Sequence, residues 1–463
     1  MCPHDQQMQM HQQMKSALCL YGLLLVLPFS CFAALYQANP SNYRALISGL
    51  KPGDTLMLAA GIYPDGLPLS NLQGASSAEI LISGPTSGSP AVFTGRACCN
   101  TVQIKDSSYI RIQYLRLDGQ NISGIDGVNG RGVTHHITLD HLVIVGHGAD
   151  QQTIGISTKG PAWNWLIREN VIEGAGTGMY LGNSDGSFPF VAGVIENNLV
   201  FDTIGYNIEI KHQLPRPANI GMPGGVNKTI IRNNVFSKWH NASTGSLARP
   251  NLLVGHFPLA GTGSQDFYEI YGNFFYQNPS EALFQGEGNI AMYSNLLLND
   301  SGDAINIQPH NDVPREIQVF HNTVVARDSG IRVKGGAPGY VQSVFSNAVL
   351  AGLPITAPLQ LENITNSYNN AAQYLIDPQG APGVLNLAPI PGKLTATAPN
   401  PGTSRLFTEA DRDFDGVQFR TSDRGAYADD GHKPFWVPQL AIKPPRTVPA
   451  KPVIGGIVIK PGN

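Results

Sequence analysis

The sequence has few cysteines, few charged residues and no long apolar run beyond its first 34 residues. Three of the five cysteines lie within that stretch, and the other two, Cys98 and Cys99, are neighbours, a spacing that rarely satisfies disulfide geometry. We therefore expect no disulfide framework, and stability must come from a large core. Charged residues make up 14% of the chain and the net charge is −3, which argues against nucleic-acid binding.

The first 34 residues have the pattern of an export signal. Lys15 precedes an apolar run over residues 17–29, and the small residues Ala33 and Ala34 follow it. That run is too short to cross a bilayer, and no later run reaches the ~18 apolar residues that a membrane helix needs. We predict a cleaved signal peptide over residues 1–34, no membrane span, and a secreted or periplasmic location.

Asparagine, by contrast, recurs at regular places in the sequence. Seven segments share one pattern of alternating apolar residues, a polar residue, an asparagine and two or three apolar or aromatic residues, spaced by 22 to 39 positions. The last asparagines of these segments are Asn170, Asn198, Asn234, Asn273, Asn295, Asn322 and Asn347. A repeat of this length made of short strands predicts a solenoid.

We therefore predict an all-β fold, a single right-handed parallel β-helix over residues 35–430. Residues 40–63 are expected to form a cap of a short helix followed by the first strand, because an open end exposes strand edges and core. Residues 431–463 are rich in proline and lysine and are expected to form an extended or disordered tail. The chain is expected to be a monomer.

The repeated asparagines are expected to serve the scaffold. A sharp turn between two strands needs a residue that tolerates positive φ, and Gly and Asn do so most readily. Stacked coils would place the asparagine amides above one another, so that they hydrogen-bond along the axis. We predict such a ladder, with the positive φ at the asparagines and with His141 in the equivalent place one coil earlier.

A second strand follows each repeated asparagine, and its outward residues form the predicted functional face. Two apolar residues two apart point inward in each strand, so the residues between and after them point outward. The first outward column holds Tyr180, Glu209, Leu253, Phe284, Asn306 and Arg332. The second holds Gly182, Lys211, Gly255, Gly286, Gln308 and Lys334. The turn that follows holds Asn183, His212, His256 and Glu287, with His310 nearby.

Residues 51–118 resemble the opening coils of the chondroitinase B and alginate lyase group of polysaccharide lyases, which have the pectin-lyase-like fold. The segments that carry the resemblance are KPGDTLMLAAGIY, AEILISGPTSGSPAVFTG and VQIKDSSYIRIQYLRLDG. The resemblance implies an acidic polysaccharide as substrate, a lysine base on an outward strand position, nearby acidic residues that hold calcium, and an arginine on the next coil. It places the base at Lys211. The arginine is not matched, although Arg249 lies shortly before the next strand.

These residues predict β-elimination from a uronate-containing polysaccharide. Lys211 would be the base, with a pKa lowered by nearby positive charge or partial burial. His212, His256 and Arg249 would complete the catalytic set, and Glu209 and Glu287 are the candidate calcium ligands. The residues expected to bind substrate are Tyr180, Asn183, Phe284, Gln308, His310, Arg332 and Lys334.

Other readings of the same face remain open. A uronate epimerase abstracts the same proton, and a non-catalytic carbohydrate-binding or surface-interaction protein would use the same aromatic and polar residues. Glu209 and Lys211 can equally form an ordinary surface ion pair of little energetic value. Hydrolysis needs two carboxylates ~5–9 Å apart, whereas Glu209 and Glu287 are expected two coils apart, on the order of 10 Å at ~4.8 Å per coil.

Overall fold

The computed structural model describes residues 33–431 and 433–445. Within those residues, parallel pairing joins 34 strands, and most of them pair with the strands one coil before and one coil after. No helix in the described part of the chain is long and apolar enough to cross a membrane. All of the predicted signal peptide except Ala33 and Ala34, and the end of the predicted tail, lie outside the described residues.

The strands lie in chain order as follows. The first coils contain β1 (Leu35–Ala38), β2 (Thr55–Leu58), β3 (Gly61–Tyr63), β4 (Leu67–Ser70), β5 (Ile80–Ser83), β6 (Ala91–Thr94), β7 (Val102–Gln113), β8 (Leu115–Asp118), β9 (Val128–Asp140) and β10 (Val143–Val145). The next coils contain β11 (Ile154–Thr158), β12 (Ala162–Trp163), β13 (Leu166–Arg168), β14 (Val171–Glu173), β15 (Thr177–Leu181), β16 (Phe190–Val191), β17 (Val194–Glu196), β18 (Leu199–Phe201) and β19 (Ile208–Ile210).

The later coils continue the same order. They contain β20 (Lys228–Arg232), β21 (Val235–Ser237), β22 (Leu252–Val254), β23 (Phe267–Tyr271), β24 (Phe274–Tyr276), β25 (Phe284–Gly286), β26 (Ile290–Tyr293), β27 (Leu296–Asn299), β28 (Ile305–Ile307) and β29 (Ile317–Phe320). The last strands are β30 (Thr323–Val333), β31 (Gln342–Phe345), β32 (Ala348–Thr356), β33 (Leu359–Leu361), β34 (Ile364–Asn366), β35 (Leu375–Asp377) and β36 (Asn386–Pro389). The helices are α1 (Tyr43–Ile47) and two 3-10 helices, Gly245–Leu247 and Tyr368–Gln373.

The pairings confirm the predicted parallel β-helix, because they sort the strands into three stacked sheets that share one core. One sheet, called the site sheet below, contains β4, the first residues of β7 and β9, then β11, β15, β19, β22, β25, β28 and the last residues of β30. Its inward residues, such as Met179, Ile208 and Ile210, are fully buried in a continuous apolar core. The outward residues of this sheet therefore occupy fixed positions along the axis.

The asparagine ladder is present, and it extends one member beyond the sequence pattern. Each Nδ2 donates to the Oδ1 of the next asparagine at 2.9–3.0 Å, from Asn170 to Asn363. The positive φ lies one residue earlier than predicted, for example at Glu169 with φ 55°. His141, with φ 53°, matches Glu169, and the amide of Leu142 begins the ladder. The residue with positive φ makes the turn, and the asparagine after it directs its side-chain amide into the interior.

The N-terminal end of the coils is covered by α1, as the cap prediction requires. The order of elements differs, because β1 precedes the helix and pairs in parallel with β2. Tyr43 and Ile47 of α1 are buried, and the Tyr43 hydroxyl donates to the Gly66 carbonyl at 2.6 Å. The helix thus covers the apolar residues that the first coil would otherwise expose.

The coils end at β34, and the residues after it fold back along the outside of the helix. β35 and β36 pair antiparallel, and Phe407 packs on the outward aromatic stack that contains Tyr293 and Phe320. Residues 433–445 contain no strand or helix. They are nevertheless packed against the coils, because Trp436 is buried and the Lys443 ammonium donates to two backbone carbonyls.

Cys98 and Cys99 are joined by a disulfide, so the expectation that these neighbours stay unpaired was wrong. The two residues lie in the loop between β6 and β7, where the chain turns tightly. The amide of Cys99 donates to the carbonyl of Arg96 at 3.2 Å within that turn. The turn folds the backbone back on itself and brings the neighbouring side chains together.

Candidate functional site

The register of the site sheet corrects one strand of the predicted outward columns. Phe284 was predicted to bind substrate, but it pairs with Leu252 and Ile305 and is fully buried in the core. A side chain at Gly286 would meet the Phe284 ring, at 2.9 Å from an added Cβ, so the glycine leaves room for that ring inside. The outward residues of this coil are therefore Gln285 and, one position beyond β25, Glu287.

Tyr180, Glu209 and Lys211 meet on the outward side of the site sheet. Tyr180 and Glu209 are paired on the neighbouring strands β15 and β19. The Lys211 ammonium donates to Glu209 Oε1 at 2.7 Å and lies 5.5 Å from the centre of the Tyr180 ring. The Glu209 side chain is only 6% exposed and that of Lys211 19%, so solvent screens this pair less than an ordinary surface pair. We call these three residues the Tyr180 cluster.

A second lysine lies against the same ring. The Lys159 ammonium is 4.7 Å from the centre of the Tyr180 ring, and Lys159 comes from the coil before it. Gly182 stands between Lys159 and Lys211 in the second column, and an added Cβ there would lie 3.3 Å from the Cβ of Lys211. The absence of a side chain at Gly182 leaves the space that Lys211 occupies beside Tyr180.

The protonation of the Tyr180 cluster differs from the prediction. Burial alone would lower the pKa of Lys211, but the charge of Glu209 and its hydrogen bond outweigh burial and raise the pKa above its usual 10.5. The expected lowered pKa of Lys211 was therefore wrong. Burial, followed by the charge of Glu209, raises the pKa of Tyr180 above 10.0. At neutral pH Lys211 is thus an ammonium and Tyr180 a protonated phenol.

Arg249 reaches the same place from the loop before β22. It lines a small cavity together with Tyr180, Tyr206 and Glu209. Its guanidinium lies 5.9 Å from the centre of the Tyr206 ring, and its Nη1 donates to the carbonyls of Ser246 and Ala248. The structure therefore brings Arg249, which the sequence left unplaced, to the edge of the Tyr180 cluster.

His212 and His256 form a separate pair beside the cluster. Their rings stack with centres 5.3 Å apart, and His256 Nδ1 hydrogen-bonds to the Phe257 carbonyl at 2.9 Å. Burial, then the charges of His256 and Lys211, lowers the pKa of His212 below 6.5. The His212 Nδ1 is buried and has no hydrogen-bond partner among the described residues. The His212 ring lies against the loop at residues 183–188, because a Cβ added at Gly186 would be 2.8 Å from it.

The two predicted calcium ligands are not arranged as a calcium site. Glu287 is 2% exposed, and its Oε2 accepts hydrogen bonds from the amides of His310, Asn311 and Asp312 at 3.1, 3.0 and 2.9 Å. Amide hydrogens thus surround the oxygen that a cation would need, and Glu209 is already paired with an ammonium. The two glutamates do not fit a bridging calcium ion.

Within the described residues, one group of acidic and histidine side chains is close enough to hold a metal ion, namely Asp140, His141 and Glu169. His141 lies 2.6 Å from Asp140 and 2.7 Å from Glu169, which are hydrogen-bond distances. Arg111 and Arg168 also pair with Asp140. Cations and hydrogen bonds therefore already satisfy this group, which lies outside the site sheet.

The other predicted binding residues do not converge on the Tyr180 cluster. Arg332 lies on β30, four coils beyond β19, and pairs with Asp303 at 3.2 Å. Lys334, which is exposed, follows it two residues later. Gln308 and His310 lie one coil before Arg332, on the strand end and its loop. Asn183 donates to Asp185 and Ser187 at 2.9 and 3.2 Å and so stabilises its own loop.

The second outward column also has members before Gly182, which were not predicted. Register places Lys105, Arg131 and Lys159 in line with Gly182 and Lys211. A short pattern could have revealed them, since VQIK, VNGR, ISTK and IEIK each end with the cation three positions after an apolar residue. The outward face is therefore cationic over a longer stretch than the sequence reading indicated.

Comparison with known proteins gives no family assignment. No family model and no curated protein matches the chain. Among solved structures it is similar to an alginate lyase from Paenibacillus sp. str. FPU-7, with 15% identity over 72% of this chain and 98% of that chain and a TM-score of 0.43. It is also similar to a GH136 lacto-N-biosidase from Eubacterium ramulus, with 12% identity, 72% and 68% coverage and a TM-score of 0.44.

A third similar structure is a PL6 family polysaccharide lyase from Pseudopedobacter saltans, with 14% identity, 72% and 93% coverage and a TM-score of 0.46. The named activities differ among these proteins, and a fold is compatible with many activities. Likeness at this level carries no argument about what this chain does. Its function has to be argued from its own residues.

Proposed function

We propose that this chain binds a uronate-containing polysaccharide along the site sheet and cleaves it by β-elimination at the Tyr180 cluster. The observation that carries the proposal is the contact of a buried carboxylate, an ammonium and a phenol on an outward face. Glu209, Lys211 and Tyr180 supply these groups, and Lys159 lies on the same ring. An ordinary surface ion pair accounts for Glu209 and Lys211 but not for the second lysine on the tyrosine.

Three cations suit the first requirement of the reaction. The proton on the ring carbon next to a uronate carboxylate becomes removable only when the negative charge that develops on that carboxylate is stabilised. Lys211 and Lys159 lie on the Tyr180 ring, and Arg249 lines the cavity that Tyr180 and Glu209 share. The raised pKa of Lys211 keeps it cationic, so it fits carboxylate binding in place of the base role that the sequence predicted.

The remaining two groups fit the two proton transfers. Glu209 takes the proton from the ring carbon, and the electrons of that C–H bond form the new carbon–carbon double bond. The bond to the glycosidic oxygen breaks, and Tyr180, which its raised pKa keeps protonated, gives its proton to the departing oxygen. Solvent then takes the proton from Glu209 and returns one to Tyr180. No step uses calcium.

The pattern of residues 1–34 supports export of the chain, and the substrate would be an extracellular acidic polysaccharide. A uronate epimerase would share the first proton transfer, but would return a proton to the opposite face of the ring and leave the chain of sugars intact. A non-catalytic binding protein would use the same surface without either transfer. Product chemistry separates the three functions.

The test is incubation of the purified protein with alginate, pectate and glycosaminoglycans, each with and without a calcium chelator. We expect one polymer to yield an unsaturated product, seen as rising ultraviolet absorbance, and we expect the chelator to leave the rate within about twofold. Proton NMR of the same polymers detects epimerisation. Binding without any unsaturated product, or a change in uronate stereochemistry without chain cleavage, would overturn the proposal.

A further inference from the structure

Upstream of the Tyr180 cluster, the site sheet borders a cavity that the proposed reaction does not use. The cavity has a volume of about 630 Å³, within the 300–1,000 Å³ range of ordinary ligand sites. It lies over the first residues of β7 and β9 and extends to Lys159, which also contacts Tyr180. The cavity is therefore continuous with the proposed site through one shared lysine.

Two cations line this cavity without an ion pair. Arg131 and Lys159 occupy successive coils of the second column. Within residues 33–431 and 433–445, neither side chain forms a salt bridge or a hydrogen bond. Arg131 is exposed, and the Lys159 ammonium lies over the Tyr180 ring. A third cation, Arg96, lies 3.7 Å from Asp65, whose side chain is 61% exposed. Such a weak pair is readily replaced by an anionic ligand.

The floor of the cavity is a rigid polar network. Asn129, which is 1% exposed, donates to Asp126 and Ser157, both at 2.7 Å, and Ser157 donates to Asp126 at 2.6 Å. The Gln103 amide also donates to Asn129 Oδ1 at 3.1 Å. The one acidic residue of the floor is thus held by neutral hydrogen-bond donors.

One wall of the cavity is formed by sulfur atoms. The joined cysteines, Cys98 and Cys99, line one side. Sulfur is soft and polarizable and packs well against apolar surface, such as the C–H face of a sugar ring. Cations at the rim, a polar floor and a sulfur wall together match a sugar that carries a carboxylate.

We propose that this cavity is a binding subsite for the uronate residues of the polymer that lie beyond the bond being cleaved. Arg131 would bind a carboxylate there, Arg96 would close the rim, and Lys159 would lie between this subsite and the Tyr180 cluster. Successive coils are ~4.8 Å apart, a spacing comparable to the length of one sugar residue in an extended chain. The coil of Tyr180 and Gly182 then separates this subsite from Lys211. The inference rests on the proposed function for the chemistry of its ligand.

The test compares Arg131→Gln with a control, Lys393→Gln, an exposed lysine outside the site sheet. Both substitutions are made in the full chain and also in a Lys211→Ala background, in which we expect the oligomers to remain uncleaved during the measurement. Calorimetry measures the binding of mannuronate and galacturonate oligomers of two and six residues. We expect Arg131→Gln to weaken hexamer binding about tenfold, the typical loss for a charge-assisted hydrogen bond. Dimer binding should be unchanged, and the loss should shrink as salt is raised.

In turnover experiments with the full chain, Arg131→Gln should raise KM for long substrates and leave kcat unchanged. An equal loss for dimer and hexamer, no loss, or the same loss in the control would overturn the subsite. The proposed function can fail independently. Hexamer binding that depends on Arg131 in a protein that cleaves no polymer supports the subsite and refutes the lyase, whereas cleavage that is insensitive to Arg131 does the reverse.

Discussion

Replacing Lys211 with alanine is expected to lower kcat/KM on the uronate polymer about 10³-fold, within the range that a positioned proton-transfer or charged group contributes. The change removes the cation beside Tyr180 and leaves the Glu209 carboxylate buried without its partner. Both losses act at the reacting carbon. The measurement is the initial rate of unsaturated product formation, with circular dichroism to establish that the variant is folded.

Two further variants separate charge from proton transfer. Lys211→Arg keeps a cation and should retain more activity than Lys211→Ala, whereas Glu209→Gln removes the base and should lose activity to a similar extent as Lys211→Ala. Lys393→Ala, remote from the site sheet, is the control. Full activity in Lys211→Ala, or a Glu209→Gln variant that matches the wild type, would show that the chemistry lies elsewhere.

The largest expected effect on stability comes from the middle of the asparagine ladder. Asn295 is fully buried, donates to Asn322 Oδ1 and two carbonyls, and accepts from the backbone and side-chain amides of Asn273. Asn295→Leu would leave several of these groups buried without partners, at about 1–3 kcal/mol each. We expect the free energy of unfolding to fall by about 4 kcal/mol, measured by urea denaturation.

The matched comparison is Asn363→Leu, at the end of the ladder. Asn363 accepts from Asn347 but has no ladder neighbour beyond it, and its side chain is partly exposed. Water can replace part of the hydrogen bonding that Asn363→Leu removes, so we expect the free energy of unfolding to fall by about 1 kcal/mol. Equal losses for the two variants would mean that the ladder does not gain its stabilising effect from burial within the coils.

The sequence predicted the coils well, because burial of one side of each strand and the stacking of asparagines leave periodic traces. It also placed Tyr180, Glu209 and Lys211 correctly on one face, since β15 and β19 each have two inward apolar residues two positions apart. It failed at Phe284, because Leu283 and Phe284 are adjacent apolar residues and the position two after Phe284 is Gly286, so that alternation does not fix the register. The room for an inward phenylalanine comes from Gly286.

Two other features depend on three-dimensional proximity or on the register of the early coils. The pKa of Lys211 depends on the balance between burial and the distance to Glu209, so residue type alone predicted the wrong direction. Arg131 and Lys159 lie in coils before Asn170, where Leu142 rather than an asparagine begins the ladder. Without that marker the register of the early coils was not extended, and the cationic column seemed to begin at Lys211.

The most direct test of the account is the pH dependence of kcat/KM between pH 7 and pH 9.5. In the proposed mechanism Lys211 is a cation, and its pKa is raised above 10.5, so its charge is retained throughout this interval and lost only at higher pH. We therefore expect a flat profile over this range. If neutral Lys211 were the base instead, the rate would rise about tenfold for each pH unit, and that slope would contradict the roles assigned to Glu209 and Lys211.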